Sequence, residues 1–288
     1  MSVLNEAEIK KTKGRALHGG IIALLLIGIP FQLFPFFWMV SNSFKTSLEI
    51  IQIPPTLLPE AWNFSGIVDT FAKYPLWENL WNTIVLCGGV ILTQIPISAM
   101  AAFSLSKLKP KFSKTLLLFF LGTLMISSQA LMFPTYIMLS DLPIIHVNLL
   151  NNYLAYILPS ASWGYMIFLF KGFFDGLPNE LMEAGKIDGA GAFRMFAQII
   201  VPLSKPVFAV NILQTFMAVY NDFIMPLFVF PSDKLWTIMV RIYTAQNGSF
   251  ATWNNIMVML TVATIPILLL YFAVQKQLVQ GISMTGLK

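Results

Sequence analysis

Residues 172–206 read GFFDGLPNELMEAGKIDGAGAFRMFAQIIVPLSKP, a polar-edged segment between two long apolar runs. Physically it is a helix, a turn and a second helix. Pro178 suits a first helical turn, and Glu180 and Glu183 near that N-terminus favour the helix dipole. Leu181, Met182 and Ile187 supply apolar contacts, and Gly189 permits a left-handed turn. Phe193 to Val201 then continues as a second apolar helix, stopped before Pro202. Such a pair either docks on a partner surface or packs against its own bundle.

Outward from this segment the chain is a succession of apolar stretches. A bilayer core of roughly 30 Å takes roughly 20 apolar residues in a helix. Six stretches qualify, and they define an all-α integral membrane protein. The first lies between Arg15 and Lys45, the second between Glu78 and Lys107, the third between Lys114 and Asp141, and the fourth between Asp141 and Lys171. The fifth runs from Pro206 to Phe230 and contains Asp222; the sixth has its apolar body from Ile256 to Val274 and ends at Lys276. Of the 288 residues, 57% are hydrophobic and 11% charged, with a mean hydropathy of +0.72, so the solvent is largely lipid. No long polar stretch divides the chain, which reads as a single transmembrane domain over 1–288.

The net charge of +5 is a matter of topology, with no nucleic-acid partner implied, because its distribution follows the excess of Lys and Arg on cytoplasmic loops. With the N-terminus inside, Lys10, Lys11, Lys13, Arg15, Lys107, Lys109, Lys111 and Lys114 are cytoplasmic, as are Lys171, Lys186, Arg194, Lys205, Lys276 and Lys288. These are 14 of the 18 basic residues, leaving Lys45, Lys73, Lys234 and Arg241 outside. An even number of spans then places both termini in the cytoplasm: an N-tail over 1–15, a loop over 172–205 and a C-tail over 276–288. The first apolar stretch is too long for a signal-peptide core and lacks a small-residue cleavage pattern, so it is expected to remain as an anchor.

Prolines at 30, 35, 96, 134, 159 and 226 each remove a helix hydrogen bond within a span. Kinked, closely packed helices are expected, since the freed carbonyls need partners. Outside the membrane, 47–79 combines Pro54, Pro55, Pro59 and Pro75 with Trp62, Phe64, Phe71, Tyr74 and Trp77, the composition of a structured loop with short interfacial helices. A second polar stretch, 231–255, is long enough to touch an external partner.

The chemistry-bearing residues are few. Cys87 stands alone in an apolar run, which excludes an intrachain disulfide and a cysteine metal cluster. Asp222 is the one carboxylate within a span, and ionisable residues there are functional candidates. With Gln214, Tyr220 and Asn221 it either lines a polar translocation path or satisfies backbone groups freed by the Pro226 kink. His146 reads as a surface residue on a short external turn. An ion-coupled secondary transporter would need ionisable residues deep in the spans and often an internal repeat, and neither is evident. A membrane enzyme would need a cluster of catalytic groups at one depth, and the spans hold none.

The segment 172–206 resembles the EAA loop of permeases of binding-protein-dependent ABC importers. Glu183, Ala184 and Gly185 stand for E-A-A, Gly189 for the following glycine, and Ile199, Val201 and Pro202 for I-x-L-P with Val in place of Leu. The sugar-permease extension Asp-Gly-Ala is matched by Asp188, Gly189 and Ala190, and the following P-L-x-x-P by Pro202, Leu203 and Pro206. Gly185 departs from the pattern and weakens helix propensity by about 1 kcal/mol. Further along, Ser43-Phe44-Lys45-Thr46 ends helix one as in the maltose-type family, Asn82-Thr83 opens helix two, and Asn221-Asp222-Phe223 with Pro226-Leu227 falls in helix five. The stretch from Gln277 to Gly281 and on to Lys288 is similar to the tail of the shorter, six-helix subunit type.

The resemblance implies the type I ABC importer permease fold and a specificity for a sugar or oligosaccharide, in a bacterial cytoplasmic membrane. It implies four kinds of partner: a second permease subunit, two copies of a cytoplasmic P-loop ATPase, an extracytoplasmic solute-binding protein and the lipid bilayer. The helix around Glu183 is expected to couple to the ATPase, with Ala184, Gly185, Asp188, Gly189, Ala190 and Pro202 shaping the contact. Asp188 is expected to cap the helix or to pair with a basic residue. No cofactor is expected on this chain, which lacks G-x-x-x-x-G-K-[ST] and is not an enzyme; ATP and Mg belong to the partner ATPase.

Overall fold

A computed structural model describes residues 12–249 and 251–285, with side chains described over 18–249 and 251–275. The tail residues Lys10, Lys11 and Lys288 lie outside the described residues, as do the side chains of Lys13, Arg15 and 276–285. Among the described residues every regular element is helical.

Helix α1 (Thr12–Ser43) is the first apolar stretch, and the 47–79 loop folds into short helices α2 (Ser47–Ile50) and α3 (Phe64–Lys73). Helix α4 (Leu76–Phe103) begins before Asn82-Thr83 and ends in a π turn over Ser104–Leu108. The third stretch is two helices, α5 (Ser113–Thr123) and α6 (Ser128–Ser140), bent by 94°. The fourth is likewise two, α7 (Leu154–Ser160) and α8 (Gly164–Asp175). The 172–206 segment forms α9 (Glu180–Ile187), α10 (Ala192–Met195), a π turn over Phe196–Ile200 and α11 (Val201–Leu203). Then come α12 (Lys205–Asn221), α13 (Ile224–Val229), a 3₁₀ turn over Asp233–Leu235, α14 (Ile238–Asn247) and α15 (Trp253–Thr285).

Among the described residues, three helical stretches are long and apolar enough to cross a membrane by themselves: His18–Ser43, Leu76–Leu108 and Trp253–Gln275. Two bent pairs, Ser113–Thr123 with Ser128–Ser140 and Ala192–Leu203 with Lys205–Asn221, raise the number to five if each is one span. The two sharpest bends do not fall at Pro30, Pro35, Pro96 or Pro134, whereas the breaks at 161–163 and 222–223 lie beside Pro159 and Pro226. Pro30 and Pro35 lie inside α1, Pro96 inside α4 and Pro134 inside α6, whereas the breaks fall at 124–127 and at Ser204. Ser127 and Ser128, good helix starters, mark the first break. At the second, Pro206 occupies the first turn of α12, where its missing N–H costs nothing.

The described residues group into two compact units, one within Met1–Leu76, Thr244–Ile265 and Ser283–Lys288, the other within Trp77–Tyr243 and Pro266–Ile282. In the first unit the last turn of α1 is tied down by polar side chains. Asn254 Nδ2 donates to the carbonyls of Ser43 (3.0 Å) and Lys45 (2.7 Å), two acceptors that a helix end leaves unpaired. Lys45 is buried; its Nζ donates to Thr56 O at 2.5 Å and lies 4.8 Å from the centre of the Trp38 ring. Burial pushes its amine below the ordinary lysine range, an effect opposed by the charge of Glu49. Glu49 Oε1 accepts from Thr56 Oγ1 and from the Glu60 N–H, which folds the 46–60 loop back on the helix end.

In the second unit the core joins α4 to α8 and to the 172–206 segment. Ile95, Ala99, Ala102, Phe103 and Leu105 pack with Ile167, Phe170 and Phe174, and against Met182, Met195, Phe196 and Ile200. Polar cross-links bind the other end. Asn82 Nδ2 donates to Lys234 O (2.7 Å), Tyr153 Oη donates to Asn82 Oδ1 (2.6 Å), and the Ile238 N–H donates to Thr83 Oγ1 (2.9 Å). Asn82 and Thr83 thus anchor the 231–238 stretch from the second turn of α4.

Candidate functional site

Two features of the second unit carry the candidate residues. The first is the 172–206 segment, whose base is latched to the end of α4. Ser106 Oγ and Lys171 Nζ each donate to Asp175 at 2.6 Å, and Lys107 Nζ donates to Leu177 O (2.6 Å) and Asn179 Oδ1 (3.1 Å). Burial alone would raise the Asp175 carboxyl; the hydrogen bonds from Lys171 and Ser106, with the charges of Lys171 and Lys107, outweigh it and hold the group below the usual carboxylate range.

Above this latch α9 starts after Pro178, which stands just outside the helix, and its Met182 and Leu181 face the core. Gly189 has φ +71° and ends the helix. Its N–H donates to Lys186 O (3.1 Å) and the Ala190 N–H donates to Gly185 O (2.8 Å), the paired bonds of a Schellman turn. The outer face carries Glu183, Ala184 and Asp188, all exposed. Neither Glu183 nor Asp188 has a side-chain partner among the described residues. Asp188 takes the C-cap position, its backbone N–H donating to Ala184 O at 3.0 Å, and leaves its carboxylate exposed. Ile187 is 86% exposed, not packed inward as its apolar character suggested, because it falls on the face opposite Met182. Phe193 is 74% exposed beside it in sequence order, at the start of α10. The helix does not stop before Pro202: it continues to Leu203, because the π turn over Phe196–Ile200 widens the helix ahead of the proline. Pro202 itself is exposed.

Gly185 has a packing reason. It is buried, and a Cβ there would stand 3.0 Å from Ile199 Cδ1 and 3.3 Å from Met195 Cγ. Both neighbours are flexible side-chain ends, and alanine gains about 1 kcal/mol of helix propensity. Gly185→Ala is therefore expected to leave the unfolding free energy in detergent unchanged within about 1 kcal/mol, whereas Gly185→Leu overpacks the site and costs about 1–3 kcal/mol. Thermal unfolding of the purified chain checks both, and a loss above about 2 kcal/mol for alanine means that Met195 and Ile199 do not yield.

The second feature is a cavity of about 350 Å³. Its polar lining is Ser128, Gln129 and Thr135 of α6, Tyr156 and Ser160 of α7, and Asp222 between α12 and α13; five apolar side chains complete it. Asp222 Oδ1 accepts the N–H groups of Ile224 (3.0 Å) and Met225 (3.3 Å), the first turn of α13, while Oδ2 accepts the Tyr156 hydroxyl (2.9 Å). The carboxylate thus satisfies backbone at the broken fifth stretch and faces a cavity at once.

Its three expected companions lie elsewhere. Tyr220 is fully buried and stacks on Phe216 (5.3 Å); Asn221 donates to Met217 O on its own helix; Gln214 has a buried Oε1 without a hydrogen-bond partner. None of them lines the cavity. The residues that do, Tyr156, Gln129, Ser128, Thr135 and Ser160, were not singled out in the sequence. Their only signal there is the run Ser127-Ser128-Gln129 inside an apolar stretch and Ser160 beside Pro159. His146 is exposed, as expected, with Nδ1 3.1 Å from Asp141 Oδ1.

Comparison with known proteins joins these features. The chain is 29% identical over 251 residues to the lactose transport system permease protein LacG of Rhizobium radiobacter, covering 87% of this chain and 89% of that one. It is 30% identical over 268 residues to the sn-glycerol-3-phosphate transport system permease protein UgpE of Brucella abortus, covering 90% and 93%. Its fold is similar to a chain of a bacterial ABC transporter involved in the import of the acidic polysaccharide alginate, with a TM-score of 0.79 at 20% identity over 92% of this chain and 98% of that one. Residues 94–284, which include the whole 172–206 segment and the cavity, match the family described as binding-protein-dependent transport system inner membrane component. With its all-helical permease fold and apolar spans, the chain belongs to that family of membrane transport components.

Proposed function

We propose that the chain is one of two permease subunits of an ATP-driven ABC importer for a sugar or a related polyhydroxylated solute. The observation that carries this reading is the 172–206 segment: a short helix, α9, aimed by a left-handed glycine turn and latched to α4, presents Glu183, Ile187 and Phe193 to solvent. An exposed apolar and acidic face on a rigid base is a docking surface. Its occupant is a cytoplasmic P-loop ATPase, present in two copies, whose closure with ATP and Mg swings the permease between inward-facing and outward-facing states. Glu183 is the polar anchor, Ala184 and Asp188 flank it, Gly185 and Ala190 seat the helix, Gly189 aims it, and Pro202 borders the contact.

In this reading the chain is one permease domain over 1–288 with six spans, both termini in the cytoplasm of a bacterium, in its cytoplasmic membrane. The fourth span is α7 with α8, and the 47–79 and 231–255 stretches face an extracytoplasmic solute-binding protein. The solute path includes Asp222, with Gln214, Tyr220 and Asn221 nearby along the fifth stretch. Sugar is favoured by the lactose relative, and a related polyhydroxylated solute by the sn-glycerol-3-phosphate relative.

Extraction of the N-terminally tagged chain from native membranes in mild detergent, followed by mass spectrometry of its companions, tests the assembly. The expected result is a second permease and two copies of a P-loop ATPase per complex. Recovery of the chain alone, or only with itself, is incompatible with the proposal.

A further inference from the structure

The relatives named above differ in the charge of their solutes, and the cavity around Asp222 bears on that difference. Resting on the reading that Asp222 lies on the solute path, we infer that this cavity is a subsite for neutral, polyhydroxylated solutes and repels phosphorylated or uronate sugars. Its volume of about 350 Å³ falls within the range of small-molecule sites, about 300–1,000 Å³. Its polar groups are hydroxyls, an amide and one carboxylate: Ser128, Thr135, Tyr156, Ser160, Gln129 and Asp222. No Lys, Arg or His is among its lining residues.

The carboxylate is held in place. The N–H groups of Ile224 and Met225 fix one oxygen, and the Tyr156 hydroxyl fixes the other at 2.9 Å. These donors are neutral, so they orient the negative charge without cancelling it. Oδ1 already takes two N–H donors, whereas Oδ2, with one donor, retains acceptor capacity for a solute hydroxyl. Gln129 and the hydroxyl side chains both donate and accept, as the hydroxyls of an uncharged sugar require. A phosphate or uronate is favoured by cationic groups or several convergent N–H donors; of these the lining side chains supply only the Gln129 amide, and they place an anion beside it. A cleft lined by one sign of charge with low-dielectric walls changes the local concentration of a charged solute by about tenfold or more.

A thiol placed in the wall reads the field directly. Ser160→Cys introduces it in a chain whose one native cysteine, Cys87, is buried at 1% exposure and stays silent. The co-purified complex is reacted with a cationic and an anionic methanethiosulfonate, and the ratio of rates is divided by the same ratio for a small thiol in solution. The expected normalised ratio is roughly ten or more in favour of the cation. It falls toward one when Asp222→Asn is added, a near-isosteric change that keeps the acceptor at Oδ1. Tyr156→Phe removes the hydrogen bond and keeps the charge, so the ratio is expected to persist. A normalised ratio of one or below, a ratio unmoved by Asp222→Asn, or no reaction with either reagent overturns the proposal. In proteoliposomes the solute that the complex imports is expected to carry no negative charge, and import of sn-glycerol 3-phosphate or an oligouronate overturns the proposal as well. Absence of ATPase companions sinks the importer reading, whereas companions present with a ratio of one sink the subsite alone.

Discussion

Gly189→Val is expected to reduce ATP-driven uptake by the assembled transporter by more than about tenfold while the chain stays in the membrane at its normal level. The residue holds φ +71°, in the left-handed region, which costs an L-residue about 1–2 kcal/mol and a β-branched one at least as much. Relaxing that strain breaks the two turn bonds, from Gly189 to Lys186 and from Ala190 to Gly185, that set the direction in which α9 leaves its base. At about 1.4 kcal/mol per tenfold, loss of this geometry is enough to remove coupling. The core contacts of Met182 and the latch at Asp175 lie below the turn and keep the fold. Asparagine tolerates the left-handed conformation, so Gly189→Asn is expected to recover most of the uptake. Glu183→Lys, which reverses an exposed charge with no side-chain partner among the described residues, is expected to lower uptake similarly and to leave thermal stability unchanged within about 0.5 kcal/mol. Uptake in proteoliposomes, normalised to membrane abundance, measures all three; normal transport by the valine variant would rule out the coupling role.

Arg241→Ala is expected to be the costliest change at a charged residue outside the 172–206 segment, lowering the unfolding free energy by about 3 kcal/mol. Arg241 is 9% exposed; its Nε donates to Asn79 Oδ1 at 3.1 Å and its guanidinium lies 4.7 Å from the centre of the Trp236 ring. The ion pair with Asp233, at 3.5 Å on a half-exposed carboxylate, adds little. Truncation leaves the fully buried Asn79 oxygen without its donor, which costs about 1–3 kcal/mol, and removes the cation from the indole face, worth about 0.5–2 kcal/mol. Lysine keeps the charge but not the planar fork, so Arg241→Lys is expected to recover less than half of the loss. Thermal unfolding in detergent reads the difference. A loss under about 0.5 kcal/mol would mean that the guanidinium is solvated in the native state.

Arg241 shows what one-dimensional reading misses. As a charge in a polar stretch it counted only toward topology, yet it is a buried clamp between α14 and Asn79, which stand 162 residues apart in the chain. The long apolar runs of α1, α4 and α15 were legible, because a bilayer-length stretch without charges has one low-energy conformation in lipid, the helix. So was the turn at Gly189, since a glycine between two helical patterns has a local reason to adopt positive φ. Leu181, Met182 and Ile187 were all read as apolar contacts from residue type; the first two meet the core and Ile187, on the other face, does not, because composition does not say which side of a short helix meets the core.

The breaks were also misplaced by local rules. Proline suggested kinks at 96 and 134, but both residues lie inside continuous helices, and the sharp bends fall at 124–127 and Ser204. Residue types and their local order determined by themselves that this is a helical membrane chain with an exposed glycine-aimed segment at 172–206. Tertiary structure alone decided that Asp222 meets Tyr156 rather than Gln214 or Tyr220, and that α6 and α7 complete its cavity. The reason is physical: helix periodicity is set by bonds between residues four apart, whereas a cavity wall depends on which faces of distant helices pack together.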